Sequence, residues 1–348
     1  MSNPICIFIP SGAGAPGFAG IIRCLREQIS WRIIAGDTNP LAYGQALADV
    51  FIQMPASNDE SFFIDEVIAV CNKEKVNIVL PITTRELEIL AINSDRIQKA
   101  GAQLLVSSAQ ALSIANNKGK LYEFVEKLQL PIPEYRIVSD VGAFENASIE
   151  LGIKSRELCF KPVLGNGSRG FGRMVFSQQN QTNWMDQKAG VLPLTLEEWL
   201  LRLPKHWHTP LLLSPFLPGI EYSVDMLCNQ GKTLLCIPRT RDKMIGGISV
   251  AGKFEQNFGL IAFCIQLAEA LQLHGPIGMQ WKEDQQGVPH LLEINPRLQG
   301  TTSVVALAGV NIPVLAIQML LGSPSPKTVI NGVWGKKFVR FWDERIVE

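Results

Sequence analysis

Short apolar runs alternate with helical segments through the first third of the chain. The runs lie at 5–10, 31–35, 49–54, 76–81 and 102–107, and each has the length of a buried strand. Segments 62–73 and 84–100 carry apolar residues at helical spacing. Strands that alternate with helices pair in parallel, because each helix returns the chain to the same end of the sheet. The sequence therefore predicts an α/β protein whose residues 1–112 form a doubly wound parallel sheet.

The turn after the first predicted strand has the spacing G-x-G-x-x-G, formed by Gly12, Gly14 and Gly17. Asp37 follows at the end of the second predicted strand. Small residues let backbone amides approach a phosphate, and the acid suits a ribose hydroxyl. Any tight strand-to-helix turn also favours glycine, and Pro16 restricts this one. An NAD-dependent oxidoreductase that uses this turn is therefore one open hypothesis.

Composition favours a globular enzyme. The chain has 348 residues, of which 47% are hydrophobic and 18% are charged, which is enough for two or three domains. Its 32 basic residues balance 32 acidic ones without a basic tract, so we expect no nucleic acid partner. The first apolar run is too short to cross a membrane and lacks the basic flank of a signal peptide, which predicts a cytoplasmic protein without a membrane partner. Seven cysteines form no C-x-x-C pair and are expected to be reduced and buried.

The pattern changes near residue 113, where we place a domain boundary. Residues 116–120 open a helix, and β-rich sequence follows from residue 136. Lys161 lies on a short strand just before the glycine-rich loop 165–172. Loop amides and a lysine on a rigid strand suit a polyphosphate, although a flexible hairpin tip has the same composition.

Two further clusters follow. An apolar connector at 214–220 precedes Glu221, and this order suits an adenine ring and then the ribose hydroxyls, or an ordinary turn into a strand. Glu293, Asn295 and Arg297 alternate along a predicted strand and so share one face, which Gln280 can reach from a neighbouring strand. One carboxylate, two amide oxygens and a guanidinium suit Mg²⁺ that shares its ligands with a phosphate. A half-buried strand with a solvated charged face is the alternative.

In this order the clusters resemble the ATP-grasp superfamily, and in particular stand-alone proteins similar to one ATP-binding half of the carbamoyl-phosphate synthase large subunit. The resemblance implies a pre-ATP-grasp domain at 1–112 followed by a two-subdomain α+β ATP-grasp fold. Residues 113–212 would be its N-terminal subdomain with the lid loop, and residues 213–348 its C-terminal subdomain with the metal site.

The resemblance also implies a role for each residue of an ATP site. The expected phosphate and lid residues are Lys118, Lys161, Gly167, Ser168, Arg169 and Gly170; those for adenine and ribose are Ser214, Phe216, Leu217 and Glu221. Gln280, Glu293 and Asn295 are the implied ligands of Mg²⁺, with Mn²⁺ as the second ion considered, and Arg297 would lie beside the transferred phosphoryl group. Many relatives have an acidic residue where this chain has Ser214, so the adenine amino group would need the hydroxyl, the backbone or water.

In relatives the glycine turn lines the acceptor substrate rather than NAD. The implied substrate contacts are Ser11, Gly12, Gly14, Thr83, Thr84, Glu86 and Ser303. Helix capping is the alternative for Thr83 and Thr84. Arg239 and Arg241 are candidate catalytic groups for a carboxylate or an acyl-phosphate, and a solvated surface run is the alternative.

The expected activity is an ATP- and Mg²⁺-dependent carboxylate–amine ligase. It would phosphorylate a small carboxylate, such as an amino acid, and an amine would displace the phosphate, leaving ADP and phosphate as by-products. The resemblance makes a homodimer the expected assembly. The NAD-dependent oxidoreductase and a nucleotide-binding protein without turnover remain the alternatives.

Overall fold

The structure, a computed structural model, describes residues 4–165, 169–177, 193–323 and 332–341. The chain divides into two compact units. Unit 1 comprises 1–113, 221–280 and 294–348, and unit 2 comprises 114–220 and 281–293. The division into domains at 113 and 213 stays a prediction.

The strands of the described residues are β1 Cys6–Ile9, β2 Arg32–Asp37, β3 Val50–Gln53, β4 Ile78–Val79, β5 Gln103–Leu104, β6 Arg136–Val138, β7 Leu158–Pro162, β8 Gly172–Met174, β9 Leu211–Pro215, β10 Glu221–Asn229, β11 Lys232–Thr240, β12 Lys243–Ile245, β13 Ile248–Lys253, β14 Gly275–Glu283, β15 Pro289–Asn295 and β16 Lys337–Val339. The helices are α1 Phe18–Leu25, α2 Glu60–Glu74, α3 Thr84–Ile92, α4 Ser94–Lys99, α5 Ala109–Ala115, α6 Lys118–Lys127, α7 Val141–Glu150, α8 Leu196–Arg202, α9 Phe258–Ala270, α10 Thr302–Leu307 and α11 Ile312–Leu320.

Unit 1 begins with a five-stranded parallel sheet of order β3-β2-β1-β4-β5. This confirms the predicted doubly wound sheet. The order reverses between β1 and β4, and ligands of such sheets bind outside the carboxyl ends of the strands at this point.

The predicted helical segment 84–100 is helical, but it forms two helices, α3 and α4, separated by Asn93. The Asn93 side-chain amide donates to the carbonyl of Ile89 at 2.9 Å. This bond satisfies a carbonyl at the end of α3, so the turn replaces a continuous helix.

The C-terminal parts of unit 1 share a hydrophobic core with the parallel sheet. Ile7 and Ile33 of the sheet belong to the same buried cluster as Ile237 of β11, Val305 of α10 and Ile317 of α11. Helices α1 and α10 approach closely at glycines: a Cβ on Gly17 would lie 2.5 Å from the Cα of Gly300. Within unit 1, β10 and β11 pair antiparallel, as do β12 with β13 and β13 with β16.

Unit 2 contains a four-stranded antiparallel sheet of order β6-β9-β7-β8. Aromatic residues fill the space between this sheet and helices α7 and α8. The ring of Phe160 packs edge-on against Phe144 and Trp199, with centroid distances of 5.2 and 4.8 Å. Such edge-to-face pairs are a favourable geometry for aromatic rings in a core.

All seven cysteines are free thiols; six are buried, as expected, whereas Cys159 is half-buried. Among the helices of the described residues, none has the length and apolar character that a membrane span needs.

Candidate functional site

Lys118 is the first residue of α6 in unit 2. Asn117 caps this helix by accepting hydrogen bonds from two amides of the first turn. The buried Lys118 ammonium donates to the carbonyl of Gly165 at 2.6 Å and lies 3.7 Å from the carboxylate of Glu293. Burial lowers the pKa of Lys118, and Glu293 opposes this effect. A buried cation at a helix N-terminus suits a phosphate.

Lys161 projects from β7 toward β15, the strand that carries Glu293. Its ammonium donates to the carbonyl of Leu292 at 2.8 Å and lies 3.4 Å from the hydroxyl of Tyr122. Tyr122 is fully buried and donates to the carbonyl of Leu291. The sequence analysis missed Tyr122, although its position one helical turn after Lys118 places both side chains on one face of α6. Unit 2 thus gathers two ammonium groups and one carboxylate beside β15.

The lid loop is only partly described. Gly167 and Ser168 lie outside the described residues. Arg169 and Gly170 are exposed, and Gly170 has a φ of +72°, which favours glycine.

Ser214 lies on β9 and is buried. Its hydroxyl is 3.5 Å from the thiol of Cys159, on the neighbouring strand β7. The backbone amide of Phe216 donates to the carbonyl of Glu157 at 2.9 Å. This amide is therefore engaged within unit 2, and the adenine-binding role of the backbone at Phe216 and Leu217 stays a prediction.

The ring of Phe216 contacts two cations that the sequence analysis missed. The guanidinium of Arg173 lies 4.2 Å from the ring centroid and the ammonium of Lys282 lies 4.8 Å from it. Arg173 also pairs with Glu157. Cation–π contacts of this kind fix the ring and place positive charge beside the connector.

Gly219 needs to be glycine. Its amide donates to the carbonyl of Glu283 at 3.0 Å, and a Cβ at this position would lie 2.6 Å from the Cβ of Glu283. The connector is thereby held against the end of β14 within unit 2.

Two acidic residues of β10 face two arginines of the neighbouring strand segment in unit 1. Glu221 pairs with Arg241 at 2.9 Å, and Asp225 pairs with Arg239 at 2.8 Å. The surface-run alternative is wrong for both arginines, because the Arg239 side chain is 0% exposed and that of Arg241 is 7% exposed. The alternation E-x-x-x-D opposite R-x-R was the signal that could have indicated these pairs.

Arg239 also donates to the hydroxyl of Thr301, which precedes α10. Its second terminal nitrogen, Nη1, is buried without a hydrogen-bond partner among the described residues. These contacts favour a structural role for Arg239, whereas Arg241 reaches the carbonyl of Gly247 in the β12–β13 turn. The catalytic role of either arginine stays a prediction.

Gln280, Asn295 and Arg297 belong to unit 1, whereas Glu293 belongs to unit 2. Within unit 1, Arg297 donates to the amide oxygen of Asn295 at 3.1 Å and to the hydroxyl of Thr84 at 3.3 Å. The arginine thus connects the end of β15 with the start of α3.

The implied metal-binding set has the chemistry of a magnesium site. Glu293 offers a partly exposed carboxylate, and Gln280 and Asn295 offer amide oxygens, which are all hard ligands. The Asn295 oxygen is oriented by Arg297. Across the described ranges, no cluster of three or more His, Cys, Asp or Glu side chains is arranged to hold a metal ion.

Ser11, Thr83 and Glu86 meet at the reversal point of the parallel sheet. The Ser11 hydroxyl donates to one oxygen of Glu86 at 2.5 Å and is 2.9 Å from the hydroxyl of Thr83. The other Glu86 oxygen accepts from the amides of Ile82 and Thr83. Glu86 is fully buried, and burial raises its pKa to about 7 against the effect of these donors.

The glycine turn does not have the arrangement of a dinucleotide site. The amide of Gly14 donates to one carboxylate oxygen of Asp37 at 2.8 Å, and the amide of Asn39 donates to the other at 2.9 Å. The acid that would bind a ribose hydroxyl therefore closes the turn itself. The NAD hypothesis has no support from this geometry.

Ser303 and Gly12 lie in close packing contacts. The Ser303 hydroxyl oxygen is 2.5 Å from where a Cβ on Gly20 would lie, so this buried serine fits α10 against α1. A Cβ on Gly12 would lie 2.6 Å from the side chain of Thr83, and Gly12 has a φ of +89°. This glycine lets the end of β1 approach the end of β4.

Known families match two regions of the chain. Residues 208–336 match the family described as ATP-grasp in the biosynthetic pathway with Ter operon. The chain contains an ATP-grasp domain. Residues 19–105 match the PylC-like N-terminal domain, so the expected order of a parallel-sheet domain before an ATP-grasp fold is confirmed.

The chain with this ATP-grasp domain is homologous to carbamoyl phosphate synthase. It is 24% identical over 275 residues to the carbamoyl phosphate synthase large chain of Clostridium acetobutylicum, in an alignment that covers 76% of this chain and 24% of that protein. The chain therefore spans about a quarter of the length of this curated relative.

Solved structures share the ATP-grasp fold. The ADP complex of N5-carboxyaminoimidazole ribonucleotide synthetase is 18% identical with a TM-score of 0.71, and the match covers 94% of this chain and 80% of that one. The L-amino acid ligase from Bacillus licheniformis is 16% identical with a TM-score of 0.67, covering 96% and 78%. Together with the family match at 208–336 and the homology to the carbamoyl phosphate synthase large chain, this shared fold confirms the resemblance to the ATP-grasp superfamily.

Proposed function

We propose that this chain is an ATP- and Mg²⁺-dependent ligase that joins a small carboxylate to an amine through an acyl-phosphate. The contact of Arg297 with both Asn295 and Thr84 carries this proposal. It connects an implied metal ligand with the turn at the reversal point of the parallel sheet. A protein that only binds a nucleotide has no need of this connection.

The triphosphate would be held by Lys118, Lys161 and the lid loop. Both lysines lie beside β15 in unit 2, so their charges suit the oxygens of a polyphosphate. Adenine would contact the connector at 216–217, and Glu221 would bind the ribose. Gln280, Glu293 and Asn295 would hold Mg²⁺, which neutralises phosphate charge when it is bound.

Chemistry at such a site depends on positioning and charge rather than on a protein nucleophile. One oxygen of the substrate carboxylate attacks the γ-phosphorus, and the bond to ADP breaks. Arg297 would stabilise the transferred phosphoryl group. An amine then attacks the acyl carbon, and phosphate leaves with the oxygen that came from the carboxylate.

The acceptor class remains part of the proposal. The chain spans about a quarter of the carbamoyl phosphate synthase large chain, so complete carbamoyl-phosphate synthesis is not what we propose for it. The fold it shares with an L-amino acid ligase supports an amino acid as the carboxylate. We include in the proposal a cytoplasmic location and a homodimer. Light scattering would test the homodimer.

The experiment is phosphate release from Mg-ATP with a panel of carboxylates and amines, offered singly and in pairs. We expect release that requires a carboxylate and increases when an amine is added. Tight Mg-ATP binding without release for any pair would instead favour a nucleotide-binding protein, and NADH binding without Mg-ATP binding would favour an oxidoreductase.

A further inference from the structure

Helix capping explains why residue 86 has a side-chain acceptor, but it does not explain why that acceptor is a buried carboxylate. One of its oxygens accepts the amides of Ile82 and Thr83, as a capping residue at the start of α3 does. A glutamine can accept the same bonds without a charge. The burial of a carboxylate at this position is costly, because it has lost its contact with water.

The second oxygen of Glu86 faces the Ser11 hydroxyl at 2.5 Å. The Thr83 hydroxyl lies within hydrogen-bond distance of the Ser11 oxygen, 2.9 Å away. Ser11 and Thr83 are half-buried, whereas Glu86 is fully buried. Ser11 is therefore the more accessible end of a short hydrogen-bonded chain that ends at a carboxylate.

The hydrogen-bonded series Thr83, Ser11 and Glu86 lies where a doubly wound sheet binds its ligand. Ser11 follows β1, and Thr83 follows β4, and the strand order reverses between these two strands. Thr84, in the same turn, accepts a hydrogen bond from Arg297. The turn that carries Glu86 is thus joined to the arginine that would hold the transferred phosphoryl group.

We propose that Ser11 and Glu86 form a proton relay for the attacking amine. This inference rests on the proposed ligase function. As the C–N bond forms, the amine nitrogen gives a proton to the Ser11 oxygen, and Ser11 passes its own proton to Glu86. The bond between the acyl carbon and the phosphate oxygen breaks, and phosphate leaves with the electron pair. The proton on Glu86 returns to solvent through Ser11, and both groups regain their starting state.

The surroundings of Glu86 suit this exchange. Burial raises its pKa to about 7, and the groups that oppose burial are Ser11, Thr83 and Ile82. Arg85 and Glu88 lie on its own helix, and Arg297 donates to Thr84 at the start of that helix. A base with a pKa near the working pH transfers protons most effectively.

The test compares two nucleophiles in wild type, Glu86→Gln and Ser11→Ala. The probes are Mg-ATP, the twenty common L-amino acids as carboxylates, and either hydroxylamine or ammonium as the nucleophile. Hydroxylamine is uncharged near neutral pH and captures an acyl-phosphate without a protein base. Ammonium must lose a proton before it can attack.

We expect Glu86→Gln to lower amide formation by about 100- to 10,000-fold, which is the usual contribution of general base catalysis. Hydroxamate formation should stay close to wild type. Glu74→Gln is the matched control, because Glu74 pairs with Arg32 at the opposite, amino end of the same sheet. An equal loss of both products in Glu86→Gln, or no loss of amide formation, would overturn the relay.

Failure of the ligase proposal has a different result, in which wild type forms neither hydroxamate nor amide. Infrared titration of the Glu86 carboxyl provides a second test, which needs no substrate and does not depend on the activity of the variants. The infrared carboxyl band that wild type has and Glu86→Gln lacks should titrate near pH 7. A Glu86 band that titrates in the ordinary carboxyl range would contradict the proposal.

Discussion

Glu293 and Glu86 are both held among polar neighbours, but the neighbours differ in charge. Glu293 lies 3.7 Å from the ammonium of Lys118, and Lys161 binds the backbone of the preceding residue. Glu86 is fully buried and accepts hydrogen bonds from the Ser11 hydroxyl and from the amides of Ile82 and Thr83. Cations keep a carboxylate ionised, whereas burial without a cation favours its neutral form. Unit 2 therefore holds a carboxylate beside fixed cations, whereas the carboxylate at the sheet end of unit 1 has the surroundings that the proposed proton relay needs.

Replacing Arg239 tests whether the buried ion pair between Arg239 and Asp225 stabilises unit 1. Arg239→Met leaves Asp225 buried without its partner, and we expect a loss of about 3–5 kcal/mol in the free energy of unfolding. Chemical denaturation measures this loss. Adding Asp225→Asn to the same chain should recover part of it.

The control for Arg239 is Arg26→Met, because Arg26 pairs with Asp49 at the surface and should cost about 0–1 kcal/mol. If Arg239→Met keeps full stability and instead weakens carboxylate binding, the arginine touches substrate, as the sequence predicted.

Glu86 should make stability depend on pH in a direction opposite to that of an ion-paired carboxylate. Its pKa is about 7 in the folded protein, whereas the ordinary value of 4.5 applies in the unfolded chain. Between these pH values the unfolded chain has released a proton that the folded protein keeps, so rising pH favours unfolding by about 3 kcal/mol in total. The contribution is fully present below pH 4.5 and lost above about pH 7.

Denaturation at a series of pH values, with Glu86→Gln beside wild type, checks this prediction. The difference between the two unfolding free energies should change across that pH window. A constant difference would show that Glu86 titrates normally and would remove the contrast with Glu293.

Glu293→Ala should reduce ATP turnover by more than about 100-fold, because it removes an implied metal ligand rather than a group that orients one. ADP production at saturating Mg-ATP is the measurement. Glu150→Ala is the control in unit 2, since Glu150 is exposed and pairs only with Arg136 in the surface ion pair described here. Unchanged ADP production by Glu293→Ala would refute the role of this carboxylate.

Lys161→Met should weaken Mg-ATP binding by about 10- to 100-fold, the effect of losing one or two charge-assisted hydrogen bonds. Isothermal titration calorimetry gives the dissociation constant. Lys154→Met removes an exposed lysine of the same unit and should leave the constant unchanged. Equal affinities for the two variants would mean that Lys161 has a purely structural role with Tyr122.

The fold was largely predictable because its signals are local. The strands of the parallel sheet follow apolar runs, and the order of glycine turn, strand and helix sets their direction. The break at Asn93 was missed, because the apolar spacing continues through it and the side-chain bond from Asn93 to Ile89 is not visible in the apolar pattern.

The candidate site was predictable where its residues are neighbours in sequence. Glu293 and Asn295 alternate along β15, as strand alternation predicts, but β15 ends at Asn295, so the expectation that Arg297 lies on the same strand is wrong. The contacts of Phe216 with Arg173 and Lys282 were not predictable, because they join three distant segments. The pairing of Arg239 with Asp225 likewise depends on the register of β10 and β11, which opposes Arg239 to Ser223 and leaves Asp225 two residues away along the strand.

The most direct test of the account follows the oxygen atoms of the substrate. A carboxylate labelled with ¹⁸O should be given to the enzyme with Mg-ATP and an amine, and the phosphate product analysed by mass spectrometry. The account predicts one ¹⁸O in each phosphate released, because a carboxylate oxygen attacks the γ-phosphorus and leaves with it. Phosphate without label, formed together with the amide, would contradict the acyl-phosphate and the function built on it.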